Sequence, residues 1–216
     1  MKIQTQNILL KIYKSLFNFF GPLNWWPGDT PFEVMVGAIL TQNTSWDNVE
    51  KAINNLKKEN LLEPRILYRI SQEKLAQLIK PSGYYNIKAQ RLKNFINFFI
   101  NDFEGSAEKM FLGDCRELRK KLLKVNGIGP ETADSILLYA GKKPFFVVDA
   151  YTKRIFSRHK LISKDADYYQ IQEFFINNLD RDVKLFNEFH AQIVMLGKTI
   201  CTRKNPDCTK CPIAFL

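Results

Sequence analysis

The chain has 216 residues, 45% of them hydrophobic, enough to bury the core of one large or two small domains. Lysine and arginine number 32 against 22 aspartate and glutamate, so a net charge of +10 and a pI near 9.4 favour a polyanion partner, most simply nucleic acid. No apolar run reaches membrane-spanning length and the N-terminus MKIQTQNILLKIYKSLF lacks a signal-peptide cleavage region, so a cytoplasmic location with unpaired cysteines is expected.

Taken in order, Leu9, Ile12, Tyr13, Leu16 and Phe20 share one face of a first helix, which Gly21-Pro22 ends. The loop Asn24-Trp25-Trp26-Pro27-Gly28-Asp29 follows. Two adjacent tryptophans in a Pro/Gly loop are unusual, because loops are mostly polar. They either plug a core seam or serve a ligand. A helix from Pro31 carries Phe32, Met35, Val36, Ile39 and Leu40, then the segment Leu40-Thr41-Gln42-Asn43-Thr44 leads to Trp46 and a further helix through Leu56. Downstream lies Lys80-Pro81-Ser82-Gly83-Tyr84-Tyr85-Asn86-Ile87-Lys88-Ala89, where Lys88 and Arg91 suit either a solvated helix face or phosphate contact.

The stretch from Leu122 to Ile155 organises the rest. Arg116 to Lys124 reads as a helix with Leu118, Leu122 and Leu123 on one face. Val125-Asn126-Gly127-Ile128-Gly129-Pro130 is a tight turn, in which two glycines permit backbone angles other residues avoid. Pro130 suits the first turn of the next helix. There Ala133, Ile136, Leu137 and Ala140 form one apolar face. The unit is helix, glycine hairpin, helix. Its free N–H groups suit a phosphate. Asp149 closes the apolar run Phe145-Phe146-Val147-Val148 and precedes Ala150-Tyr151-Thr152, where aspartate makes a good helix N-cap. Amphipathic helices follow at about 150–160, 167–178 and 183–200, the last with Phe186, Phe189, Ile193, Leu196 and Ile200. No strand-like alternation or repeat competes, so the expected fold is all-α. The chain ends on Cys201, Cys208 and Cys211 in the spacing C-x6-C-x2-C; Cys115, at the start of a helix, reads as a buried thiol.

These residues resemble the helix-hairpin-helix DNA glycosylases of the endonuclease III superfamily. The pattern L-x-x-x-x-G-[IV]-G-x-x-T-A falls on Leu122 to Ala133, and the V-D that follows it in the family falls on Val148-Asp149, after fourteen intervening residues. The resemblance implies two helical lobes with a DNA cleft between them: a helical barrel over 31–145, and a second lobe of 1–30 plus 146–216. It implies that Asp149 is the catalytic carboxylate and that Gly127, Gly129 and Thr132 belong to a hairpin gripping the DNA backbone. By the same likeness Gln42 enters the gap left by a flipped nucleotide, Tyr84 wedges against the opposite strand, and Lys88 touches phosphate. The W-W-P loop, with an aromatic after L-T-Q-N-T, is similar to the small 3-methyladenine glycosylases. There the flipped base is sandwiched by the residues corresponding to Trp26, before Pro27, and Trp46, with Trp25 lining or supporting the pocket. That later aromatic is usually phenylalanine, so Trp46 alters the pocket.

The superfamily's iron–sulfur loop is C-x6-C-x2-C-x5-C, so Cys201, Cys208 and Cys211 match three ligands of a 4Fe–4S cluster. The fourth would fall one position past Leu216. A Cys3His zinc site is the alternative, but His190 is eleven helical residues from Cys201, roughly 16 Å along the axis at about 1.5 Å per residue. Bifunctional members carry a lysine where this chain has Glu131. A carboxylate cannot form the Schiff base that leads to strand cleavage, so a monofunctional enzyme is expected. Two indoles around a flipped base favour a cationic one, by about 1–2 kcal/mol when desolvated, which suggests 3-methyladenine or 7-methylguanine. An adenine-mismatch glycosylase, a bifunctional pyrimidine-damage enzyme and a non-catalytic DNA-binding protein remain open. The expected partner is double-stranded DNA, the expected form a nucleoid-associated monomer.

Overall fold

The computed structural model describes residues 2–216. All regular structure among them is helical: α1 (Lys2–Phe20), α2 (Pro31–Leu40), α3 (Trp46–Lys58), α4 (Pro64–Arg69), α5 (Gln72–Leu78), α6 (Tyr85–Phe103), α7 (Ala107–Leu112), α8 (Cys115–Lys124), α9 (Pro130–Ser135), α10 (Ala150–Arg158), α11 (Tyr168–Ile176) and α12 (Val183–Thr199). The all-α expectation holds. None of these helices is long and apolar enough to cross a membrane.

Helix starts follow the side chains available to satisfy exposed N–H groups. Thr30, Glu63, Ser71, Ser106, Asp114, Asp149, Asp167 and Asp182 each accept a backbone N–H of the helix they precede. Contacts divide the chain into two compact units, Pro27–Lys143 and Met1–Trp26 with Pro144–Leu216.

In the first of these, α2 is buried from Phe32 to Leu40 on every face, so its sequence is apolar all round rather than striped. Phe32 stacks on Phe99, and Phe99 on Phe95 of the same α6. The hairpin's second helix differs from its expectation: α9 is short and continues as a π-helical turn, Ile136–Ala140, with every residue from Thr132 to Ala140 buried. Cys115 is half-buried, a correction to its reading as a buried thiol, because it starts α8 at the surface.

In the other unit, α12 packs on α1 and α10. Its Phe186 and Phe189 join Phe146, Phe156 and Phe175 in one aromatic cluster, Phe146 and Phe175 stacked at 3.9 Å. Edge-to-face and offset rings of this kind add to the area they bury. After α1 the chain is fastened to α12, where Glu188 accepts the Leu23 N–H at 2.9 Å and Gln192 donates to the Gly21 carbonyl at 2.7 Å.

Candidate active site

Asp149 sits in extended backbone at the N-cap of α10. Its Oδ1 accepts the Thr152 N–H at 2.7 Å and the Thr152 hydroxyl at 2.9 Å. Its Oδ2 lies 3.6 Å from Nε2 of His190, and the Asp149 side chain is 11% exposed. Burial alone would push this carboxyl up. The His190 contact and the two Thr152 donors outweigh it and hold the acid below the usual carboxylate range. The site is a nearly buried carboxylate kept ionised, with one oxygen tied down.

His190 is the residue that sequence reasoning missed. Along the sequence it reads only as a poor metal ligand. The available signal was a single imidazole inside the apolar stripe of α12, between Phe186, Phe189 and Ile193, all buried with it.

The hairpin is built in the other unit. Gln42 donates its amide to the Gly127 carbonyl at 3.0 Å and to the Thr132 hydroxyl at 2.9 Å, and accepts from the Arg91 guanidinium at 2.5 Å. The loop after α2, the body of α6, the glycine turn and the start of α9 are thereby clasped at one point. Gly127 has φ +95°, and a Cβ there would fall 2.2 Å from Cγ of Arg91. Only glycine fits. Gly129 is different: its φ is −90° and a Cβ would meet nothing within 4 Å. The expectation of two unusual backbone positions therefore holds for Gly127 alone, since Gly129 lies in ordinary extended backbone beside open space. Behind the turn, Arg119 of α8 holds the fully buried Asp134 of α9 through two bonds, at 2.6 and 2.9 Å. Such a fork fixes the angle between the two helices.

Three other predicted positions separate. Tyr84 adopts a left-handed conformation, φ 46°, and its ring is 70% exposed. Lys88 is 1% exposed, with its ammonium donating to the Leu40 carbonyl at 2.9 Å and the Ser82 carbonyl at 2.6 Å. It therefore ties the end of α2 to the turn before α6 from inside, which corrects its reading as a phosphate contact. Burial, and then the Arg91 charge, push its pKa down to about 8. Thr132 is buried with its hydroxyl turned to Gln42.

Trp25 and Trp26 are half-buried, edge to face at 5.7 Å, with the Lys198 ammonium 5.9 Å from the Trp25 ring centre. Pro27 is exposed, and Trp46 opens α3 half-buried. Glu131 is exposed in the first turn of α9.

The three C-terminal cysteines line one cavity of about 240 Å³ with Arg158, Ile200 and Pro206. The Arg158 guanidinium donates to Cys201 Sγ at 3.3 Å and to the carbonyls of Thr202 and Arg203. Burial raises the Cys211 thiol, and the other two sulfurs add to that. Among the described residues no three ligand side chains are gathered tightly enough to hold a metal ion. The three thiols share that cavity without forming such a group.

The chain belongs to the HhH-GPD superfamily of base excision DNA repair proteins, whose model matches residues 36–180. It is 51% identical, over 99% of its length and 97% of the relative's, to a candidate DNA repair glycosylase of Methanocaldococcus jannaschii. It is 30% identical to endonuclease III of Thermotoga maritima, over 84% of this chain and 79% of that one. Among solved structures, the H. pylori 3-methyladenine DNA glycosylase bound to 1,N6-ethenoadenine superposes with a TM-score of 0.76 at 33% identity, covering 90% of this chain and 97% of that one. A trapped endonuclease III–DNA intermediate superposes with a TM-score of 0.83, over 100% and 95%, and its 21% identity speaks to the fold alone. The protein is a DNA glycosylase of base excision repair.

Proposed function

We propose that this glycosylase is monofunctional and hydrolyses the N-glycosidic bond of alkylated purines, 3-methyladenine and 7-methylguanine, after flipping them from duplex DNA. Two observations carry the reading: Asp149 is ionised and nearly buried, and Glu131 stands at the sequence position where a lyase needs an amine. Asp149 stabilises the cationic sugar as the base leaves and orients water at C1′. A base already positive from alkylation is a good leaving group and needs little acid assistance. Trp26 and Trp46 supply π-faces for it, and Trp25 supports them. Pro27 borders the same loop. The likeness to the H. pylori enzyme supports this branch over the pyrimidine-damage one.

In this reading Gln42, Tyr84, Gly127, Gly129 and Thr132 serve the DNA. Gln42 and Thr132 act through the clasp they share with Arg91. Gly129 leaves open space for a phosphate to approach the backbone, and Tyr84 offers an exposed ring as a wedge. Cys201, Cys208 and Cys211 would hold three irons of a 4Fe–4S cluster, which supplies structural cross-linking of the terminal loop.

The test is release of 3-methyladenine from a defined duplex, with strand scission scored separately. Base release with an intact abasic strand is expected. Efficient borohydride trapping of a protein–DNA adduct would return the enzyme to the lyase class. On the same substrate Trp46→Ala should cost about 1–3 kcal/mol in recognition, the scale of base–aromatic stacking, and Trp46→Phe should retain most of it.

A further inference from the structure

A carboxylate removed from water must have both oxygens compensated, or it takes up a proton. At Asp149 the compensation is divided. Oδ1 is fully used by the N–H and hydroxyl of Thr152, itself completely buried. Oδ2 faces Nε2 of His190 at 3.6 Å, and His190 is 5% exposed. Two lone pairs turned toward each other would repel, so Nε2 carries the proton in this contact.

The spacing between these two side chains is fixed by how α10 meets α12. Arg154 of α10 donates to the Cys201 carbonyl at 3.1 Å and the Gly197 carbonyl at 2.8 Å. The Tyr151 ring lies on Gly197, where a Cβ would come within 2.3 Å of it. The two helices therefore meet at the distance of a bare glycine, and His190, two turns earlier on α12, is held against the N-cap of α10.

We infer that His190 is a positioning residue for base excision: it holds Asp149 Oδ2 in place and supplies the counter-field for that oxygen. The inference rests on the reading that Asp149 is the catalytic carboxylate. Oδ1 cannot serve the sugar while it caps the helix, so Oδ2 is the oxygen that faces the developing positive charge, and His190 sets where it points.

The other ionisable groups around this corner are engaged elsewhere. Lys153 of α10 donates to the Ala166 carbonyl, and Arg154 to the two carbonyls of α12 and its end. Glu188 of α12 accepts from Leu23 and Gln192. Tyr13 of α1 is pushed up by burial and then by Glu188, so it stays neutral. His190 is left as the group that answers Oδ2.

The experiment is single-turnover base release from alkylated duplex across pH 4.5–8 for the full-length protein and three variants, with melting temperature on the same samples. Loss of the imidazole removes the larger of the two influences that offset burial, leaving only the Thr152 donors, so the acid rises and activity that needs the carboxylate must fall from the acidic side. His190→Leu should move the acidic limb up by about one pH unit or more, about a tenfold loss per unit below it. His190→Gln reaches Oδ2 with an N–H and should restore most of the profile. His190→Asn, too short to reach, should not. A wild-type profile in folded His190→Leu, or equal profiles for Gln and Asn, would overturn the assignment. If His190→Leu does not fold, the Gln and Asn comparison decides. Asp149→Asn is the control for the underlying reading: if it is fully active, that reading fails and the inference with it, whereas an inert Asp149→Asn beside an unshifted His190→Leu defeats the positioning role alone.

Discussion

The hairpin clasp and the Asp149 corner solve different problems with similar parts. At the clasp, Gln42, Arg91, Thr132 and the Gly127 carbonyl share one set of bonds, mostly between neutral groups, with Gln42 at its centre. At the corner a single buried charge is held by one threonine and one histidine. Members of a shared network polarise one another, so a loss there is felt in shape and stability. The loss of a lone charge that answers a charge developing only in the transition state is felt in turnover, because nothing else supplies that field. Shape is thus built by a network and chemistry is concentrated in one residue.

Substitutions can break that contrast. The largest effect should come from Asp149→Asn, which preserves shape and removes the charge. Turnover should fall by about 3–4 kcal/mol of barrier, the scale of a lost preorganised electrostatic group, while lesion-DNA affinity stays equal or rises. Near-normal base release would reduce Asp149 to a helix cap. Next, Gly127→Ala puts a methyl into Arg91 at a positive φ and should destabilise the hairpin unit by about 1–3 kcal/mol, read as a lower melting temperature. Gly129→Ala sharpens the comparison. It has no steric partner and ordinary backbone, so stability should hold within about 0.5 kcal/mol while duplex affinity falls. Equal stability losses at the two glycines would mean that the open space at Gly129 has been misjudged.

The smallest effect concerns Lys88. Its folded pKa of about 8 lies below the 10.5 of a free lysine, so on raising the pH the folded state sheds its proton first. Between pH 8 and 10.5 the unfolded chain binds more protons, and stability should rise with pH. Below 8 the cost of the buried charge is fully present. Measured as the difference between wild type and Lys88→Met, the slope should be on the order of 1 kcal/mol per pH unit at most. A flat difference would place the ammonium in water rather than between Leu40 and Ser82.

Much of this was legible along the chain. Leu9, Ile12 and Leu16, or Phe186, Phe189 and Ile193, repeat at the helical period, and periodicity is a local property. Gly127 and Asp149 were marked by neighbours within a few residues, because a turn and a helix cap are made by adjacent backbone. Lys88 and Arg91 were ambiguous for the opposite reason. A cation on a helix reads as solvated until the carbonyls or amide that meet it are known, and those lie on other elements.

The sequence by itself determined most of the longer helices, the hairpin, the cap at Asp149 and, through its motifs, the family, but not the short helices α4, α5 and α7. Tertiary structure alone decided that Gln42 reaches Gly127, Thr132 and Arg91, that Lys88 is buried between the end of α2 and the turn at Ser82, and that His190 meets Asp149. The physical reason is range. Backbone geometry and hydrophobic period act over one turn, whereas a buried polar group is satisfied by whatever partner packing brings within about 3–4 Å, however far away it lies in the chain.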